Sequence, residues 1–214
     1  MPTRQRPRWL VPTGTPIHDI REQLFNAAER VLLRDGPNAL TSRAVTTEAG
    51  VAKGILHRHF PDFDAFLAAL TLTHLERLDG LSVQLRGAAG ARTIADNLAE
   101  VLAAALTPIT IRTISLVCSR HQLLTRLRLT TPVGLPIAAE ITKMVATYLT
   151  AERGLGRISI DTDVDHLAII LVGGAHLLAT EQSELRLDPD HLRGLLRAGV
   201  STAVTEQAHE TRPA

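Results

Sequence analysis

The 214 residues are 45% apolar and 21% charged, enough to bury a sizeable core in one domain or in a small domain plus a larger one. Aromatics supply only 3%, so Leu, Val, Ile and Ala must fill the interior, as they commonly do in helical bundles. The single thiol, Cys118, excludes an intrachain disulfide and suits a reducing cytoplasm. The start, MPTRQRPRWLVPTGTP, lacks the apolar stretch of a secretory signal, and no apolar run approaches the roughly 18 residues of a membrane span. The expectation is a cytoplasmic protein with no membrane partner.

Charge is nearly balanced overall but unevenly placed. Residues 1–60 hold 9 Lys/Arg against 5 Asp/Glu, and the rest hold 14 against 17. A basic front on a mildly acidic body fits phosphate binding at one end.

In chain order, residues 1–16 combine Arg4, Arg6 and Arg8 with four prolines and read as an extended basic arm. Ile17, Ile20, Leu24, Ala27, Ala28 and Val31 then keep helical spacing until Gly36-Pro37. Thr41 is a good N-cap for a helix running to Ala49, and Gly50 breaks it. A short segment, Lys53–Phe60, follows, and Pro61-Asp62 separates it from a helix expected to end near Gly80. Gly87–Gly90 reads as a connection. Further helices are predicted over 93–106, 109–129, 136–154, 164–180 and 189–207, with only a brief alternation at 157–160. The fold class is therefore all-α, with about nine helices.

The stretch LTSRAVTTEAGVAKGILHRHFPDF, residues 40–63, carries the function. A short helix, a glycine turn and a second short helix make a helix-turn-helix, in which the first helix braces on the DNA backbone and the second enters the major groove. Val45, Val51, Leu56 and Phe60 suit its small core, leaving Gly54, Ile55, His57 and Arg58 around the outer arc with Lys53 at the leading end.

The run AGVAKGILHRHFPD resembles the signature of the TetR (tetracycline repressor) family, over roughly residues 17–78. The resemblance implies a helix-turn-helix DNA-binding domain over 17–78 (motif 41–60) and a helical ligand-binding and dimerisation domain over 79–214. It also implies DNA contacts. Thr41, Ser42 and Arg43 would meet phosphates. Lys53, Gly54 and Ile55 would meet bases, through guanine O6/N7, close approach and a thymine methyl respectively, and His57 and His59 phosphate or base edges. This chain departs from the family pattern at Ala52, where a capping hydroxyl is common, at His57, where Tyr is usual, and at Phe63, where Lys is frequent. Those departures bear on individual contacts rather than on the fold.

Elsewhere the residues argue for packing rather than chemistry. His166 and His176 lack partners for a metal site, so no metal or cofactor is expected. Asp161, Asp163 and Asp165 lack the glycine and terminal glutamate of a calcium loop and suit a helix N-terminus. Cys118, in an apolar segment, is expected to be a buried inert thiol. No catalytic constellation is visible, which disfavours an enzyme.

The stripes Leu167, Ile170, Leu171, Gly174, Leu178 and Leu192, Leu195, Leu196, Val200 suit the two-helix dimerisation face that the resemblance implies, although some must serve the chain's own core. The reading is a homodimeric regulator, a repressor binding a near-palindromic DNA operator and released by a small-molecule effector held in a mostly apolar pocket. The alternatives are a small-molecule or metal sensor with a vestigial DNA module, and a bundle enzyme.

Overall fold

The computed structural model describes residues 17–129, 135–181, 187–201 and 203–204, with side chains from residue 20 onward. The arm at 1–16 lies outside them. Among the described residues the chain forms ten α-helices and one short 3-10 helix, Pro37–Ala39. They are α1 (Ile17–Asp35), α2 (Ser42–Glu48), α3 (Gly54–His59), α4 (Phe63–Gly87) and α5 (Ile94–Ala105), then α6 (Pro108–Ser119), α7 (His121–Arg128), α8 (Pro136–Gly154), α9 (Val164–Glu181) and α10 (Pro189–Val200).

The caps explain most of these boundaries. Thr41, Thr93 and Thr107 each accept a backbone N–H of the first turn, and Pro108, Pro136 and Pro189 open their helices. Asp163 accepts from the His166 backbone N–H at 3.1 Å and from its ring at 2.6 Å, so the aspartates there serve the start of α9.

Four expectations need correction. Gly80 does not end the fourth helix. Its φ is not positive and no neighbour crowds it, and α4 runs on because Leu78 and Leu85, on either side, are buried in one core. The run 109–129 is two helices, because Arg120 adopts extended backbone (φ −124°, ψ 97°). The last helix stops at Val200, and the chain then turns back so that Val204 pairs with Ile158, which explains the short alternation at 157–160. Cys118 is exposed, because α6 turns Ile114, Leu116 and Val117 inward and leaves Cys118 on its outer side.

Two apolar cores result. The first joins Leu24, Ala28 and Val31 of α1, Val45 of α2, Leu56 and Phe60, and Phe66, Leu67 and Leu70 of α4. It also takes in Leu116, Val117, Leu123 and Leu127 from α6 and α7. The second is built from the far half of α4 with α5, α6, α8, α9 and α10. α4 is thus one 25-residue helix shared by both cores.

At the end of α4 remote from the first core lies a buried polar network. The Glu152 carboxylate, fully buried, pairs with Arg157 at 3.0 Å and accepts the Gly90 N–H at 3.3 Å. Asn97 Nδ2 donates to the Tyr148 hydroxyl and to the Ala88 carbonyl, both at 3.0 Å. Burial, and then the bond to Glu152, push the Tyr148 hydroxyl well above its ordinary pKa. The network fixes the 88–93 connection, where Gly90 takes φ +78°.

α9 is apolar enough, by length and composition, to cross a membrane. It packs instead as a bundle helix, with Val164, Ala168, Leu171, Ala175 and Ala179 buried against its neighbours. Gly174 lets Leu195 of α10 approach closely, and Gly199 of α10 does the same for Leu171. Gly173, by contrast, faces open space with Ile169, Ile170 and Leu177.

Candidate nucleic-acid interface

The site begins where α1 stops. Gly36 takes φ 79°, the 3-10 turn follows, and Leu40, fully buried, pins the chain before Thr41. Thr41 Oγ1 accepts the Ala44 N–H at 3.1 Å and so fixes the start of α2. The buried Val45 and the Gln23 Nε2 bond to the Ala49 carbonyl (2.8 Å) hold α2 against α1. Glu48 adds ion pairs to Arg30 at 2.7 Å and Arg34 at 3.0 Å, which hold its carboxyl below the usual range.

Gly50, with φ 67°, makes the turn between the helices. A residue with a Cβ is strained in that conformation, which is why glycine stands there. Lys53, one residue after the Ala52 read as the poor cap, stands at the N-cap of α3 and makes no side-chain capping bond. Leu56 is fully buried, and Phe60 packs edge-on to Phe66 at 5.1 Å between ring centroids. The Arg21 guanidinium lies 4.4 Å over the other side of Phe60. At the corner, Asp62 caps α4 by accepting the Ala65 N–H at 2.7 Å and pairs with Arg126 of α7 at 2.8 Å. The Ala65 bond and then Arg126 hold its carboxyl below the ordinary range.

The residues marked out by sequence fall into two adjacent groups. Thr41 and Arg43 are exposed at the head of α2. Ser42 is different, since its Oγ is shut off from solvent with no hydrogen-bond partner among the described residues. Lys53, Gly54 and His57 are exposed along α3, and Arg58 joins them. Ile55 is half-buried and packs on the first core, so only part of it can face DNA, and His59 is half-buried too. Two cations, a histidine and a glycine along a short helix, with a hydroxyl and an arginine beside it, can hold phosphates and admit base edges.

Sequence reasoning missed Arg120. From the α6–α7 corner its Nη2 donates to the Leu40 carbonyl at 2.7 Å, and its guanidinium lies 5.5 Å from the Phe63 ring centroid. No local pattern signals this, because the two partners are 80 and 57 positions away in sequence. The pair also explains Phe63, which stacks on Phe66 (5.7 Å) beneath the arginine.

A short bracing helix, a glycine turn and a second helix with an open cationic face define a helix-turn-helix DNA-binding protein. Residues 24–70 match the family of bacterial regulatory proteins, tetR family. Residues 24–70 carry that family's DNA-binding segment, and the described residues have the fold of TetR-family transcriptional regulators, a class of DNA-binding proteins rather than enzymes.

Among solved structures, a TetR-family transcriptional regulator from Mesorhizobium loti superposes with TM-score 0.65 at 15% identity, covering 90% of this chain and 100% of that one. A multidrug binding protein, EbrR, in complex with imidazole gives 0.58 at 22% identity, with 86% and 96% covered. A gamma-butyrolactone receptor gives 0.60 at 20% identity, with 88% and 90% covered. No curated protein matches the chain.

Proposed function

We propose that this regulator is a repressor that binds a near-palindromic operator as a homodimer and leaves it when a small molecule binds the second core. Thr41, Arg43, Lys53, Gly54 and His57 carry the DNA contact, with Ile55 and His59 at its edge and Ser42 contributing its backbone N–H. The observation that carries the reading is α4, one unbroken helix with its first half in the helix-turn-helix core and its second half in the regulatory bundle. A shift in the bundle therefore reorients the reading head, and a ligand preferring one orientation lowers DNA affinity by that preference.

Dimerisation is supported by α9. Ile169, Ile170 and Leu177 stay 58%, 65% and 66% exposed on the face opposite its core stripe. Such a face is typically covered by a partner, and a second copy related by two-fold symmetry would set two reading heads side by side for a palindrome.

A small apolar pocket of about 10 Å³, room for about one water molecule, is lined by Ile114, Val117, Leu135, Pro136 and Ile137 between α6 and the start of α8. It is smaller than the usual ligand cavity, so an effector must open it by moving α6 or α8. The multidrug binding protein and the butyrolactone receptor support a small-molecule effector.

The testing experiment is binding of the purified protein to DNA flanking its own gene, against a scrambled duplex, at low and moderate salt. Preference for the flanking DNA that survives moderate salt and disappears in an R43A/K53A variant supports the proposal. Equal, salt-fragile binding to both duplexes defeats it for that DNA.

A further inference from the structure

The α6–α7 corner places an arginine among the helix-turn-helix residues, although its chain position lies far from them. The carbonyl that Arg120 holds belongs to Leu40, the residue immediately before Thr41, so the guanidinium lies next to the head of α2, where Thr41 and Arg43 are exposed. On its other side it covers Phe63 in the first turn of α4. Arg120 is itself partly exposed.

Of its five N–H donors, one bonds Leu40. Its Nε and Nη1 groups make no hydrogen bond among the described residues, and no carboxylate there pairs with it. The neighbouring Arg126 is neutralised by Asp62, and Arg30 and Arg34 by Glu48 and Asp35 together. Arg120 therefore presents an unneutralised, partly ordered fork. Its rotamer is already fixed by the carbonyl and the ring, so an anion meeting it bears less ordering cost than with a free arginine.

We propose that Arg120 is a DNA-phosphate contact supplied by the regulatory half of the chain. It acts beside Thr41 and Arg43 on the phosphate nearest the head of α2. The proposal rests on the DNA-binding reading above. Its consequence is that movement of α6, which lines the apolar pocket through Ile114 and Val117, withdraws a phosphate ligand directly as well as tilting the reading head.

The test needs no operator, because phosphate contacts are independent of sequence. Affinity for a labelled duplex of arbitrary sequence is measured by fluorescence anisotropy across a series of sodium chloride concentrations, for wild type, R43A, R120A, R120Q and R120K. Each phosphate contact contributes about 0.9 to the slope of log affinity against log salt. R120A is expected to lower the magnitude of the slope by about 0.9 per bound protomer.

R120Q, which can keep a donor for Leu40 but has no charge, should lower the slope equally. R120K should restore it. Should R120A fail to fold, judged by loss of helical circular dichroism, R120Q and R120K give the comparison on their own. A loss of affinity by the same factor at every salt concentration, with an unchanged slope, is the signature of a mere tether and overturns the proposal. If R43A flattens the slope while the Arg120 variants do not, only Arg120's role falls. If wild type shows no salt-dependent binding, the DNA-binding reading falls with it.

Discussion

Substituting Ile170→Asp on the outer face of α9 tests the dimer without disturbing either core. Ile170 is 65% exposed in the single chain, so its loss leaves the protomer's packing intact. Fully burying an isoleucine contributes about 1.5–3 kcal/mol, so covering the exposed two thirds contributes about 1–2 kcal/mol. Two-fold symmetry doubles the loss to roughly 2–4 kcal/mol per dimer before any cost of the two buried carboxylates is added. At about 1.4 kcal/mol per factor of ten, the dimer should weaken at least thirtyfold, and up to several hundredfold. Sedimentation equilibrium over a concentration series reads the constant, and thermal unfolding of the dilute monomer checks that the fold is untouched. An unchanged dimer constant in a well-folded variant would refute the assignment of this face, as would a wild type that stays monomeric at all concentrations.

Other outcomes follow from single positions. Gly50→Ala should destabilise by about 1–2 kcal/mol through its φ of 67° alone, since nothing would crowd the new Cβ, and a denaturant melt reads it. Gly199→Ala places a Cβ 2.5 Å from Leu171 Cδ2 and should cost about 1–3 kcal/mol, whereas Gly194→Ala in the same helix meets open space and should gain up to about 1 kcal/mol. Equal melting shifts for those two would contradict the α9–α10 packing.

Burial lowers the pKa of His74 below 6.5, and the opposing attraction of Glu29 does not restore it. The native state therefore binds fewer protons than the unfolded chain between the lowered value and 6.5. The stability linked to His74 is complete above 6.5 and falls as pH drops through that window. His74→Gln should flatten that dependence in melts on either side of 6.5. A slope identical to wild type would show that His74 is not its source.

What could be read from sequence was what local chemistry decides. α8 was bounded correctly at 136–154 by Pro136 and Gly154, and the α2 cap and Gly50 turn follow from residue type alone. What escaped was decided by distant partners. The break at Arg120 carries no Gly or Pro to mark it, because its fixing bond reaches Leu40. The two faces of α9 are both apolar, so periodicity could not tell core from surface, and Ile170 was grouped with Leu171. Helices as short as α2 and α3 gave too little period to show that the Ser42 hydroxyl is covered or that Ile55 leans inward.

The first core has a practical consequence for cutting and recombining such chains. Leu116, Val117, Leu123 and Leu127 complete it, so a fragment ending at residue 78 would bare an apolar wall that normally lies under α6 and α7. A chimera that grafts this reading head onto a foreign effector body needs the α6–α7 segment to travel with it, Arg120 and Arg126 included. The unit of exchange is thus discontinuous along the chain, and a junction chosen by sequence order alone would yield a reading head prone to aggregation.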